Sequence, residues 1–138
     1  MDKVETAMVS ELDGTASVSV LYIARDAAAV AALTEFFEGH MEFMKAKRET
    51  DGPRKLLHYS ISSSPEWEGE GIAEIVDGKR PRPTGRTIFH LFEIYETEEG
   101  LNHHWKEASH FLPILESLLE LYDIEIRNYT HMKVMQSL

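Results

Sequence analysis

Cysteine is absent from the 138 residues. That removes disulfides, thiolate metal sites and cysteine nucleophiles in one step. No apolar run approaches the roughly 20 residues that a membrane-spanning helix needs. Residues 1–15 have neither the basic start nor the apolar core of a signal peptide, so the expected location is the cytoplasm, away from membranes. Positive charge is scarce as well: 14 Lys and Arg stand against 24 Asp and Glu, a formal charge of −10. A field of that sign repels phosphate backbones, which argues against a nucleic-acid partner. The one basic cluster, Lys79-Arg80-Pro81-Arg82, is short and broken by proline, and reads as a solvated loop rather than an anion site.

What remains is an ordinary globular balance, 43% hydrophobic and 28% charged. A chain of this length forms one domain and buries roughly 70% of its unfolded surface without staples. Residues 1–15 are polar, carry the Asp13-Gly14 turn pair and read as an N-terminal arm. The domain is expected over 16–135.

From Ala16 to Arg25 the chain alternates, with apolar residues on both faces toward its end, as in a strand covered on two sides. Asp26 is placed to cap a helix from Ala27 to about Lys47. Val30, Leu33, Phe37, Met41 and Met44 form its stripe, and Asp51-Gly52-Pro53 ends it. Lys55–Ser64 reads as a strand with Leu57, Tyr59 and Ile61 on one face and Leu56, His58 and Ser60 on the other. Residues 65–86 hold a short apolar segment and the Asp77-Gly78 turn pair, and are expected to form a projecting hairpin or flap. Thr87–Tyr95 is the clearest strand, with His90, Phe92 and Ile94 alternating against Phe89, Leu91 and Tyr95. Thr97 caps a helix to about Lys106, although Gly100 stands where a capping box would carry Glu. Ser109 and Pro113 mark a break and restart before a second amphipathic helix. Tyr122–Met135 alternates again.

The order β-α-β-β-α(α)-β is the ferredoxin-like pattern: an α+β fold with an antiparallel sheet and helices on one face. The other face stays bare although its strands carry apolar groups there. A homodimer closed through the sheet faces is the simplest cover.

Between Tyr95 and Phe111 lies a further set of signals: Tyr95-Glu96 ending the strand, Thr97-Glu98-Glu99 entering the helix, His104 late on it, and His110-Phe111 opening the next. This arrangement resembles the antibiotic biosynthesis monooxygenase-like family of dimeric α+β barrels, with one extra residue between the two histidine elements. The resemblance implies a cofactor-independent monooxygenase: the protein removes a proton from a small aromatic or quinol-like substrate, which then reacts with oxygen itself, and no cofactor or metal is used. It also includes dimeric members of the same fold with no known activity, so a non-enzymatic small-molecule-binding or stress-related protein is the alternative.

The histidines support three arrangements. His103, Glu107 and His110, at i, i+4 and i+7, have metal-ligand spacing only if the helix runs unbroken past Ser109. In haem-degrading relatives a histidine four residues after the conserved Phe holds iron; that position here is Leu115. The third is a cleft between helices and sheet. His104 would be the base and His110 a second polar contact, with Trp105, Tyr59, His40, His58, His90 and Phe111 as substrate-binding walls. Against each stands the plain alternative that histidines and tryptophans at helix–sheet junctions pack and satisfy one hydrogen bond.

Overall fold

A computed structural model describes residues 11–69, 72–79 and 82–138. The strands are β1 (Ala16–Ala24), β2 (Leu56–Trp67), β3 (Pro83–Tyr95) and β4 (Glu125–Lys133). The helices are α1 (Ala27–Lys47), α2 (Ile72–Val76), α3 (Glu98–Glu107) and α4 (Leu112–Leu121), with a 3₁₀ turn at Ser109–Phe111 between the last two. The sheet order is β2-β3-β1-β4 and every neighbouring pair is antiparallel. This is the ferredoxin-like α+β architecture.

Strand periodicity decides which side chains meet the helices. In register, Val18 of β1 lies opposite Glu93 of β3, which lies opposite Tyr59 of β2; one step on are Val20, Leu91 and Ile61. These residues and Tyr22, Phe89 and Tyr95 face α1 and α3. On the helix side, Ala29, Leu33, Phe37, His40 and Met44 form the buried stripe of α1, and Leu101 anchors α3. Leu33 and Leu101 are fully buried, each a gain of about 1.5–3 kcal/mol over exposure.

Both expected caps form. The Asp26 carboxylate accepts from Ala29 N at 2.9 Å, and Thr97 Oγ1 accepts from Gly100 N at 3.1 Å while its hydroxyl donates to Pro53 O. The structure also explains why Gly100 replaces the reciprocal Glu. A Cβ there would come within 2.9 Å of Arg54 Cα and 3.0 Å of Arg54 O, backbone atoms that cannot swing aside. Side-chain reciprocity is given up so that the chain entering β2 can press against α3.

Residues 65–86 differ in detail from a simple flap. β2 continues to Trp67 and β3 starts at Pro83, so the two strands themselves form the projecting arm. The apolar segment before Asp77-Gly78 is the helix α2, and Gly78, at φ 77°, caps it by donating to Ile75 O. Arg86 clamps the arm's base with two 2.8 Å bonds to the Glu66 carboxylate. The basic cluster contributes exposed Lys79 and Arg82; its two central residues lie outside the described residues. So do residues 1–10 of the expected arm, whereas Gly14 N donates to Val134 O and ties residue 14 to the end of β4.

The second sheet face carries Ser17, Ser19, Leu21 and Ile23 from β1, Ile88, His90, Phe92 and Ile94 from β3, and a His58-Ser60-Ser62-Ser64 row from β2. Ser17, Ile23 and Ile94 are buried there, and Leu21, Ile88 and Phe92 half-buried. No helix of the described residues is long and apolar enough to cross a membrane.

Candidate functional site

The strand β3 places a carboxylate where its alternation calls for an apolar side chain. Glu93 is 2% exposed. The Tyr95 hydroxyl donates to its Oε1 at 3.3 Å, and His104 Nε2 lies 3.6 Å from the same oxygen. The His104 ring stacks on Tyr95 with centroids 5.5 Å apart. His40 reaches in from α1, its ring 5.9 Å from that of His104, and its Nδ1 shares a 2.7 Å hydrogen bond with the Tyr59 hydroxyl. Phe36, Phe43 and Phe111 close around His40 with centroid distances of 6.3, 6.2 and 5.4 Å.

Burial dominates the electrostatics. It raises the Glu93 carboxyl from its ordinary value to about 7, the Tyr95 bond opposing it only in part. It lowers His104 to about 4, helped by the charges of His40 and His103, and His40 to about 4, helped by His110. The Tyr95 and Tyr59 hydroxyls are both pushed well up, first by burial and then by the Glu93 charge. The short Glu93–His104 approach is therefore not an ion pair at neutral pH. Desolvation disfavours both charges: the imidazole is neutral, and the carboxyl gives up its proton only as pH rises through about 7. Among the described residues every buried side-chain polar atom has a hydrogen-bond partner.

The expected site residues divide into two groups. His104, His40, Tyr59 and Phe111 come together around Glu93, with His110 at the edge: exposed, 4.3 Å from the Phe111 ring and 5.3 Å from the Phe43 ring. Trp105, His58 and His90 lie apart. Trp105 is 39% exposed, because position 105 points past the sheet toward β4, and it packs edge-on to His131 at 5.3 Å. His58 and His90 project from the opposite sheet face, where they bond Ser60 Oγ at 2.8 Å and Ser19 Oγ at 2.5 Å. Strand parity separates them: an even-numbered β3 residue cannot share a face with Glu93.

Glu93 is the member that spacing arguments about histidine overlook. The signal was present in the alternation itself, since position 93 falls in the inward Phe89-Leu91-Tyr95 row.

The metal-spaced trio does not assemble. His103 Nε2 lies 3.0 Å from Glu107 and 3.7 Å from Glu49, but the helix tightens to 3₁₀ at Ser109 and His110 Nδ1 turns to Glu107 O at 3.2 Å. Among the described residues no three His, Asp or Glu side chains group as metal ligands. Leu115, at the position of the haem-ligand histidine, packs against the core.

Space is unevenly distributed. The cavity bordered by Tyr95, His103 and His104 holds about 20 Å³, room for a single water. Three larger hollows flank α1. One, about 640 Å³, lies between α1 and α4; a second, about 630 Å³, lies between α1 and the β2–β3 edge; a third, about 300 Å³, lies between α1 and the start of β2, against Tyr59. No protein-family model matches the chain, and no curated protein matches it either.

Proposed function

We propose that the protein is a cofactor-independent monooxygenase for a small aromatic, quinol-like substrate, acting as a cytoplasmic homodimer closed through the bare sheet faces. The observation that carries the reading is the buried Glu93 carboxyl, pushed up to about 7 beside neutral His104. A base works best when its pKa lies near the working pH, and desolvation supplies that here. Glu93, as carboxylate, takes the substrate's hydroxyl proton through His104; the electron-rich anion then supplies the electrons to oxygen and bonds it at a ring carbon, and the resulting hydroperoxide loses water, leaving one oxygen atom on the substrate as a carbonyl. His40 and Tyr59 hold the hydrogen-bonded wall, and Phe43 and Phe111 exclude water. Turnover requires the 20 Å³ cavity beside His104 to widen through movement of Met44 and Arg48, which line it.

The dimer is supported by Leu21, Ile88 and Phe92, apolar residues of the second sheet face that remain only half-buried in the single chain.

A second reading, a non-enzymatic small-molecule-binding protein, is favoured by that same narrowness: the roomy grooves do not reach Glu93 or His104. Oxygen uptake on a panel of quinols separates the two. Uptake that falls on Glu93→Gln and on His104→Ala supports the oxygenase. Saturable quinol binding without uptake, unchanged in Glu93→Gln, supports binding alone.

A further inference from the structure

The groove between α1 and α4 has a shape and a field of its own. On the α1 side it is floored by small residues, Ala28, Ala32 and Gly39; on the α4 side Ile114 and Leu118 stand across from them. Gly39 is unusual. A glycine within a helix costs stability, and it is normally tolerated where a neighbour needs the room. Here an added Cβ would meet nothing within 4 Å, so no packing partner demands its absence. What the missing side chain keeps open is the groove. Phe36 and Phe111, edge to face at 5.8 Å, present ring surface at one end, and Tyr122 at the other.

The field is one-signed. Among the described residues, Glu35 is the only carboxylate lining the groove, it is exposed and engaged in no hydrogen bond or ion pair, and no Lys or Arg lines the groove. α1 carries none before Lys45, and α4 carries none at all while contributing Glu116 and Glu120. An apolar hollow with aromatic ends and an unneutralised carboxylate suits an apolar body bearing a positive charge, held by burial, by ring faces and by Glu35.

We propose that the α1–α4 groove is a binding site for a small aromatic amine in its cationic form. The assignment stands apart from the oxygenase reading, since Glu35 and Gly39 take no part in the buried proton cluster.

The test is calorimetric titration of the full chain at neutral pH with three probes sharing one ring system: 1-naphthylmethylammonium, 1-naphthylmethanol and 1-naphthoate. The ammonium should saturate and bind at least about threefold more tightly than the alcohol, the size expected for one partly exposed charge pair. The naphthoate should bind most weakly. Glu35→Gln should bring the ammonium to the level of the alcohol. Gly39→Leu should abolish binding of both with the circular dichroism spectrum unchanged; Gly39→Ala, which strengthens the helix while narrowing the groove, should weaken both and raise the melting temperature. Naphthoate binding as tight as the ammonium, ammonium binding that survives in Gly39→Leu, or no saturation at millimolar ammonium would each overturn the assignment.

Discussion

Glu93 and His104 approach to 3.6 Å inside the protein, yet burial drives both toward their neutral forms, the carboxyl up to about 7 and the imidazole down to about 4. The two shifts oppose one another in their effect on stability. The raised Glu93 value means that the folded state holds a proton the unfolded chain has already lost, so this group's contribution is full below about pH 4.5 and is lost as pH rises to about 7. The lowered His40 and His104 values act the other way: the unfolded chain binds protons that the folded state refuses, so stability falls as pH drops from about 6.5 to about 4.

Glu93→Gln should accordingly stabilise the protein at pH above 7 and have little effect near pH 4. The gain at alkaline pH should be about 3 kcal/mol, the cost of ionising a buried carboxyl raised from 4.5 to about 7. Chemical denaturation at several pH values measures it, and a variant with an unchanged pH profile would remove Glu93 as the titrating group.

Tyr59→Phe strips buried His40 of the 2.7 Å partner on its Nδ1 and should cost about 1–3 kcal/mol. Adding His40→Leu should recover part of that loss, because the orphaned polar atom is then gone. A double-mutant cycle with no coupling would show that the hydrogen bond contributes nothing net.

Gly100→Ala forces a Cβ to within 2.9 Å of the Arg54 backbone and should destabilise by about 1–3 kcal/mol, against the usual gain from replacing a helical glycine. Urea unfolding reads the sign directly; a stabilised variant would mean that the chain before β2 yields.

On the bare sheet face, Leu21→Arg should convert the proposed dimer to a folded monomer, because an unpaired charge cannot be buried between two sheets. Sedimentation equilibrium of both proteins checks it. A wild-type chain that is monomeric at micromolar concentration would refute the dimer.

Much of the fold was readable one residue at a time. The period-two run Thr87–Tyr95, the stripe Leu33-Phe37-Met44 and the caps Asp26 and Thr97 are local signals, and each corresponds to an element in the structure. Strand ends were less readable: β2 and β3 run past their apolar patterns to Trp67 and Pro83 because each supplies the other's hydrogen bonds. The histidines were the hardest. Residue type said that any of them could serve a site, but parity put His58 and His90 on the far face, and the 3₁₀ turn rotated His110 away from His103. Residue type does not single out Glu93, because a carboxylate in a strand is ordinary until its burial is known.

The sequence by itself determined the order of the four strands and the longer helices, the face each strand presents and the positions of the helix caps, since these follow from side-chain period and from backbone groups a few residues apart. Only the tertiary structure decided that Glu93, Tyr95, His104, His40 and Tyr59 share one dry space, and that Arg54 leaves no room for a side chain at position 100. The physical reason is distance along the chain. A pKa is set by whatever excludes water from a group and by the charges beside it, and around Glu93 those neighbours come from α1, β2 and α3, as many as fifty residues away.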